Sequence, residues 1–300
     1  MKVFSVINEK GGVGKSSLTI NLGYGLSKKG LKVLLVDADP QHNISSKLVQ
    51  NMTQTLDESG LKQFSSKVQE ESVRTLMKSN ELLRNFLEYS ETDDFVDLSD
   101  VLEDPNKIHL AIQHTKYDFL DILPSTHSLS VVDYKLKNAR NRDNRLRMAL
   151  NKVKDIYDVV IIDNSPFESA LTYNSISACR YEGDQILIPT KMDYESWEGL
   201  HHTIETLLAW LDETELDYDF KIVPMMTSRT NSTKMALNTL KALFGHRVFD
   251  VDIRYQANPI ERSSFEKEIL LASEQKAIQQ SGVFQDFNEL IEEFYDKCMA

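Results

Sequence analysis

Glycines and lysines near the N-terminus form the pattern that most clearly predicts chemistry. An apolar run that begins at Val3 leads into them, and a helix-like stretch from about Ser17 to Lys29 follows. Backbone N–H groups of such a turn can cradle phosphate oxygens, while a lysine neutralises their charge and a hydroxyl holds Mg²⁺. The helix also points its positive end at the phosphates. The predicted nucleotide-binding residues are Lys10, Gly11, Gly12, Val13, Gly14, Lys15, Ser16 and Ser17.

This phosphate loop carries one lysine more than its own chemistry needs. The usual loop starts with a glycine and has four free positions before Gly-Lys-Ser/Thr. Glu9 stands at the first glycine position here, whereas Gly14, Lys15 and Ser16 match the rest of the pattern. Lys10 is therefore surplus to the loop that contains it.

Two buried-strand patterns end in acids that could serve the same site. One leads to Asp37 and Asp39, and the other leads to Asp163. Ligands of parallel sheets bind at the carboxyl ends of the strands, so these acids are expected beside the phosphate loop, where they suit a metal ion or a water. Hard Mg²⁺ prefers oxygen ligands and keeps several waters, which suits Asp163 at its strand tip. The alternative for Asp37 and Asp39 is that they only cap the turn at Pro40.

The alternation of short β-rich runs with helical patterns predicts an α/β fold, in which a doubly wound, mostly parallel sheet has helices on both faces. Between about residues 45 and 94 the chain becomes polar and helix-forming. This change predicts a helical insertion within a single domain that spans residues 1–300. The predicted strands lie at residues 3–8, 32–37, 120–123, 159–163, 185–189 and 221–226.

Composition restricts the partners and the location of the protein. The net charge of −12 argues against nucleic-acid binding over the whole surface, so any DNA contact needs a local basic patch. Cys179 and Cys298 are too few for a disulfide framework and too far apart for a CxxC site. No apolar stretch approaches the roughly 18 residues of a membrane span, and no signal-peptide pattern precedes the first strand. We expect a cytoplasmic protein without membrane partners.

The KGGVGKSS segment resembles the signature of the deviant Walker A family, which includes the ParA and Soj partition ATPases, MinD and nitrogenase iron-protein relatives. The resemblance implies that Lys10 reaches across a dimer to the nucleotide of the partner subunit, in a face-to-face ATP sandwich. It also implies that Asp39 orients and activates the attacking water, so that Lys10, Lys15 and Asp39 are the catalytic residues. Asp37, Ser16 and Asp163 are then the Mg²⁺ residues, partly through water.

Further landmarks extend the resemblance over most of the chain. The segment from Pro189 to Gly199 is similar to the one that precedes a long helix at the family's dimer face. Arg229 matches an arginine that relatives use on DNA phosphates. Where the family usually reads I-P-R-N, residues 253–256 read I-R-Y-Q. The resemblance therefore implies an adenine contact by Gln256 and a second DNA contact by Arg254.

A dense basic run lies on a predicted helix in the middle of the chain. Spacings of three to five residues place several of its members on one face, which suits a DNA backbone or an acidic partner. A solvated helix face is an equal alternative. The run consists of Lys135, Lys137, Arg140, Arg142, Arg145, Arg147, Lys152 and Lys154.

The resemblance implies an ATP-dependent DNA partition ATPase, with plasmid DNA as the expected cargo. Such a protein forms an ATP-dependent homodimer, binds DNA non-specifically and so associates with the nucleoid. It hydrolyses MgATP weakly until a ParB-like centromere-binding partner accelerates it. Because the loop begins at residue 10, the chain resembles the short ParA subgroup without an N-terminal helix-turn-helix domain.

Three other functions remain to be weighed against partition. A MinD-like membrane-cycling ATPase needs a basic amphipathic C-terminal helix, but residues 284–300 are rich in acids. An iron-sulfur reductase needs paired cysteine ligands, which Cys179 and Cys298 do not provide. A nucleotide-switched adaptor without catalysis is disfavoured because Lys15, Asp39 and Asp163 are all present.

Overall fold

The structure is a computed structural model that describes residues 1–49, 95–136, 140–214 and 219–299. Residues 1–48 and the described residues from 96 onward belong to one compact unit. Nearly all of the helical insertion predicted at about 45–94 lies outside the described residues, so that insertion stays a prediction.

The described residues form a seven-stranded sheet in the order β3-β4-β2-β5-β1-β6-β7. All neighbours pair in parallel except β3 and β4, which are antiparallel. The chain completes one side of β1 with β2 to β5 and then adds β6 and β7 on the other side, so right-handed crossovers place helices on both faces. The strands are β1 Lys2–Val6, β2 Val33–Ala38, β3 Gln113–His114, β4 Leu120–Leu123, β5 Val159–Asn164, β6 Gln185–Lys191 and β7 Asp219–Met225.

The two central strands show why the sequence pattern identified the sheet. Every residue of β2 and of β5 is buried, because helices cover both faces of a parallel sheet and leave no polar face. The predicted doubly wound α/β fold is confirmed, and all six predicted strands are present. The sequence pattern missed β3, which contains two residues only and forms the antiparallel edge.

The helix after the phosphate loop begins earlier than predicted, at Lys15 instead of about Ser17. No helix of the described part is both long enough and apolar enough to cross a membrane. The described α-helices are α1 Lys15–Lys28, α2 Ser45–Leu48, α3 Leu98–Glu103, α4 Ile108–Ala111, α5 Ser128–Leu136, α6 Arg145–Leu150, α7 Ala170–Ala178, α8 Tyr194–Thr214, α9 Asn231–Phe244, α10 Ala257–Phe265, α11 Lys276–Gln279 and α12 Gly282–Phe294.

The prediction that the basic run lies on one helix is wrong. The helix α5 ends at Leu136, a short 3₁₀ turn follows at Arg142–Asn144, and α6 begins at Arg145. Arg145 donates from Nη1 to the carbonyl oxygens of Leu102 at 3.0 Å and Glu103 at 2.8 Å. These bonds show that the run is divided among several elements and that one of its arginines holds neighbouring backbone in place.

Candidate active site

The phosphate loop joins the carboxyl end of β1 to the first turn of α1, and glycine is required at two of its positions. Gly12 has φ +69° and Gly14 has φ +95°, a region that L side chains rarely adopt. A Cβ atom at Gly14 would also lie 2.8 Å from Cε of Met225. Gly14 caps α1, so the backbone N–H groups of the first helical turn face the loop.

Lys15 lies inside the loop and is only 7% exposed. Its Nζ donates to the carbonyl oxygens of Asn8 at 2.9 Å and Lys10 at 3.2 Å. Burial lowers the pKa of Lys15 below 10.5, against the opposing charges of Asp163 and Asp39. An anion within reach of this buried ammonium would favour its charged form, which is what a phosphate supplies.

Two carboxylates lie side by side at the carboxyl ends of the adjacent strands β2 and β5. The parallel register of β2 and β5 places Asp37 opposite Asp163, and both are fully buried. Burial raises the pKa of Asp37 from 3.8 to about 7. Burial, with the nearby charge of Asp37, raises the pKa of Asp163 from 3.8 to about 8. Two buried carboxylates in register on adjacent strands are costly to ionise together unless a cation accompanies them.

The hydrogen bonds around these carboxylates use both oxygens of Asp37 but only one oxygen of Asp163. Ser45 donates to Oδ2 of Asp37 from its N–H at 2.8 Å and from its hydroxyl at 2.6 Å. Thr19 donates to Oδ1 of Asp163 at 3.3 Å, and Ser16 also hydrogen-bonds to Asp163. The other oxygen of Asp163, Oδ2, is buried without a partner.

This donor set fits Mg²⁺. A buried unpaired carboxylate oxygen beside the Ser16 hydroxyl is a hard oxygen site. In the described part of the chain there is no cluster of three or more His, Cys, Asp or Glu side chains that could hold a metal ion by itself. Mg²⁺ does not need such a cluster, because it keeps several waters and also binds phosphate oxygens.

Asp39 lies at the same edge of the sheet and is 6% exposed. Its Oδ1 accepts the N–H of Gln41 at 2.9 Å, and its backbone carbonyl accepts the hydroxyl of Ser125 at 3.1 Å. The turn-capping alternative is therefore present in the structure. Capping uses one carboxylate oxygen and does not exclude a second role, so the catalytic role of Asp39 stays a prediction.

The surplus lysine lies where the loop meets α8. Lys10 is half-buried, and its N–H donates to Oδ1 of Asn8 at 2.8 Å. Asn8 in turn donates to the carbonyl oxygen of Pro189 at 2.9 Å. The backbone of Lys10 is thus held at its N–H by Asn8 and at its carbonyl oxygen by Lys15, whereas its contact with a partner subunit stays a prediction.

A cavity of about 340 Å³ opens next to the first turn of α1, at Ser16 and Ser17. Its apolar lining includes Met225, Met226 and Ile253. A cavity of this size and chemistry, directly beside a phosphate loop, suits a nucleobase.

Gln256 does not line this cavity. Its Oε1 accepts the N–H of Val283 at 2.8 Å, which ties the loop before α10 to the first turn of α12. The amide predicted to contact adenine therefore has a structural partner in this structure, and the cavity residues are the better candidates for base contact.

The two predicted DNA-contact arginines differ in their surroundings. Arg254 forms an ion pair with Asp286, with Nε to Oδ2 at 2.7 Å and Nη2 to Oδ1 at 2.6 Å. Arg229 is exposed and lies just after the end of β7, in a groove that Lys234 also lines. The charge of Arg254 is thus neutralised within the chain, which makes Arg229 the stronger candidate for a phosphate contact.

Sequence reasoning missed several polar side chains that position the site. Asn8, Ser45 and Ser125 bond to site residues, and none belongs to the glycine-lysine pattern or to the acidic strand ends. Asn164, directly after Asp163, lies within β5 and donates to the carbonyl oxygen of Val6 at 3.1 Å, which ties β5 to β1.

Fold and site together define a P-loop nucleotide-binding protein with a second lysine in its loop. A family model for the AAA domain matches residues 1–222, and the chain belongs to that family. The predicted resemblance to ParA and Soj proteins is confirmed by sequence. The sporulation initiation inhibitor protein Soj of Bacillus subtilis is 29% identical over 272 residues, which cover 90% of each chain.

Solved structures confirm the fold. A putative plasmid partition protein from Borrelia burgdorferi bound to AMPPNP superposes with a TM-score of 0.69, at 19% identity and 99% coverage of both chains. Cobyrinic acid a,c-diamide synthase from Mycobacterium smegmatis, with a bound ATP analogue and magnesium, superposes with a TM-score of 0.70 at 19% identity. That match covers 100% of this chain and 97% of the other. Proteins with different reactions thus share this fold, and the reaction must be argued from the site.

Proposed function

We propose that this protein is a Mg²⁺-dependent ATPase that partitions DNA, and plasmid DNA in particular. The observation that carries the proposal is the convergence of Lys15, Asp39 and Asp163 at one sheet edge, with Lys10 in the same loop. The sequence similarity to ParA and Soj proteins supports the same function.

The loop supplies binding and charge neutralisation for the nucleotide. The ammonium of Lys15 exchanges its bonds to the carbonyl oxygens of Asn8 and Lys10 for charge-assisted bonds to phosphate oxygens. Ser16 and Asp163 would hold Mg²⁺, which neutralises charge that develops on the phosphates. Asp39 orients the attacking water from the neighbouring strand end. The base occupies the cavity beside Ser17.

The dimer is proposed to form around two nucleotides, with Lys10 of each subunit on the nucleotide of the other. Lys10→Ala should leave ATP affinity of the monomer within about twofold, because the contact is made only across the dimer. The ATP-driven dimer should weaken by at least about 10²-fold, since two charge-assisted hydrogen bonds of about 1.5 kcal/mol or more are lost per dimer. Light scattering with and without ATP measures the association.

A matched control for this experiment is Lys28→Ala, at an exposed position on α1. It removes the same charge without approaching the loop and should dimerise like the wild type. If Lys10→Ala dimerised as well as Lys28→Ala, the trans role of Lys10 would be refuted.

DNA binding is proposed to be ATP-dependent and indifferent to sequence. Arg229 and Lys234 share their groove with three acidic residues, so one subunit presents only a small basic patch. The acidic residues are Asp250, Asp252 and Glu289. A dimer doubles the number of phosphate contacts, and the salt dependence of binding grows with that number. Nucleoid association in the ATP state follows from this property.

Arg229→Glu should weaken DNA binding at least about tenfold at low salt while sparing ATP-driven dimerisation. The slope of log K against log salt should fall by about 1 per lost phosphate contact, or about 2 per dimer. Fluorescence anisotropy with unrelated duplexes over a salt series measures both quantities. Arg180→Glu is the control, because Arg180 is exposed and precedes β6, at the amino end of the parallel strands, whereas Arg229 follows the carboxyl end of β7. Equal effects of the two substitutions would count against a contact at Arg229.

The C-terminal helix weakens the MinD-like alternative. Phe287, Leu290 and Ile291 form the apolar face of α12, and all three are buried in the core. That face is therefore already occupied, and the outer face carries Glu289 and Glu292, which anionic lipid would repel.

Stimulation of ATP hydrolysis by a ParB-like partner is part of the proposed partition function.

A further inference from the structure

One face of α8 carries the start of the phosphate loop. The N–H of Glu9 donates to Oγ1 of Thr203 at 3.1 Å, and the hydroxyl of Thr206 donates to Oε1 of Glu9 at 2.6 Å. The Thr203 hydroxyl also donates to the carbonyl oxygen of Gly199 at 2.7 Å. Gly199, Thr203 and Thr206 are four and three residues apart, so they share one helix face.

The same face sets how closely the loop approaches the helix. A Cβ atom at Gly199 would lie 2.7 Å from Cβ of Lys10 and 3.1 Å from Oδ1 of Asn8. Only glycine leaves that space, and the backbone of Lys10 lies directly against the helix. The residues that flank this contact on α8 therefore determine where the side chain of Lys10 begins.

We propose that Thr203 and Thr206 are positioning residues that act through Glu9 on Lys10, and so couple α8 to the surplus lysine of the loop. This inference rests on the proposed dimer only for its functional consequence. The contacts themselves are a property of the single chain.

The physical reason lies in the residue that replaces the first loop glycine. A glycine there would offer no side chain to hold, whereas the Glu9 carboxylate accepts a charge-assisted bond from Thr206. Glu9 is therefore anchored through both its backbone and its side chain, one residue before Lys10. Further along α8, Trp210 stacks on Tyr173 of α7 with ring centroids 4.3 Å apart, which ties the helix to the domain. If Lys10 contacts another subunit, a backbone that is already fixed reduces the conformational entropy that is lost when the contact forms.

The test exchanges a threonine hydroxyl for a methyl group of similar size. Thr206→Val removes the donor to Glu9, and Thr206→Ser keeps it. Thr239→Val is the matched control, because Thr239 is an exposed helical threonine on α9 whose hydroxyl donates only to its own helix, at Met235 O, 3.0 Å away. Hydrogen exchange of a peptide that spans residues 7–13 reports the loop directly. We expect at least about tenfold faster exchange at Glu9 and Lys10 in Thr206→Val, with Thr206→Ser and Thr239→Val close to the wild type.

The functional arm measures ATP-driven dimerisation and ATP affinity of the monomer. Thr206→Val should weaken the dimer about tenfold and change monomer affinity by less than about threefold. In a Lys10→Ala background the same substitution should have no further effect on the dimer, because it acts through Lys10. If Thr206→Val and Lys10→Ala weakened the dimer additively, the action of Thr206 through Lys10 would be refuted.

The two arms separate the inference from the proposed function. If wild-type protein does not dimerise with ATP, the proposed function fails, and the exchange experiment alone decides the positioning role. If the wild type dimerises but Thr206→Val exchanges and dimerises like Thr239→Val, the positioning role is overturned and the proposed function stands.

Discussion

Asp39→Ala is expected to lower ATP turnover by about 10² to 10⁴-fold, the usual contribution of a positioned general base. The substitution removes the group that orients the attacking water but no phosphate contact. ATP binding and ATP-driven dimerisation should therefore persist, and the dimer should accumulate because its nucleotide is hydrolysed slowly. Single-turnover hydrolysis at saturating ATP measures the chemical step separately from binding.

Two control variants separate chemistry from turn capping. Asp39→Asn keeps an oxygen acceptor for the N–H of Gln41 but removes the charge, so it should lose nearly as much turnover as alanine. Asp104→Ala removes an equivalent bond, from Oδ1 of Asp104 to the N–H of Asn106 at 3.0 Å, at a remote turn. It should retain full turnover. A fall of less than about tenfold in Asp39→Ala, worth roughly 1.4 kcal/mol, would show that Asp39 only caps its turn.

Lys15→Ala is expected to weaken MgATP binding by at least about 10²-fold. Its ammonium is buried, and charge-assisted bonds to two phosphate oxygens contribute about 1.5 to 3 kcal/mol each. Calorimetric titration with MgATP measures the affinity. The variant should also lose dimerisation and hydrolysis, because both depend on bound nucleotide.

Lys15 also supports its own loop, and a second variant isolates that contribution. Lys15→Gln retains an N–H donor for the carbonyl oxygens of Asn8 and Lys10 but carries no charge. It should bind MgATP nearly as weakly as Lys15→Ala while unfolding at the temperature of the wild type. Unchanged affinity in Lys15→Gln would remove Lys15 from the phosphate site.

Local patterns predicted the parts of the site that depend on neighbours in the chain. A phosphate loop needs glycines where φ is positive, and both Gly12 and Gly14 adopt that region. A buried strand followed by an acid predicts a carboxylate at a strand tip, as Asp163 shows in β5. The six strands were recognisable because burial on both faces leaves long apolar runs.

Contacts between residues far apart in the chain could not be predicted in this way. The guanidinium of Arg254 is neutralised by Asp286, 32 residues later, and Gln256 is held by Val283. The basic run was assigned to one helix because its spacing fits one face, yet Arg145 begins a separate helix and holds Leu102 and Glu103. The spacing of residues along the sequence indicates a shared helix face only where one helix spans all of them.

The sequence by itself determined the α/β class, the loop that can hold phosphates and the acids that can accompany a metal ion. Each depends on backbone conformation or burial within a few neighbouring residues. The tertiary structure alone decided which groups share a space: Asp37 opposite Asp163, Lys15 closed onto its own loop, and Glu9 held by Thr203 and Thr206. These pairings depend on how strands and helices pack, because hydrogen bonds and ion pairs act over a few ångströms, whereas Glu9 and Thr206 are 197 positions apart in the chain.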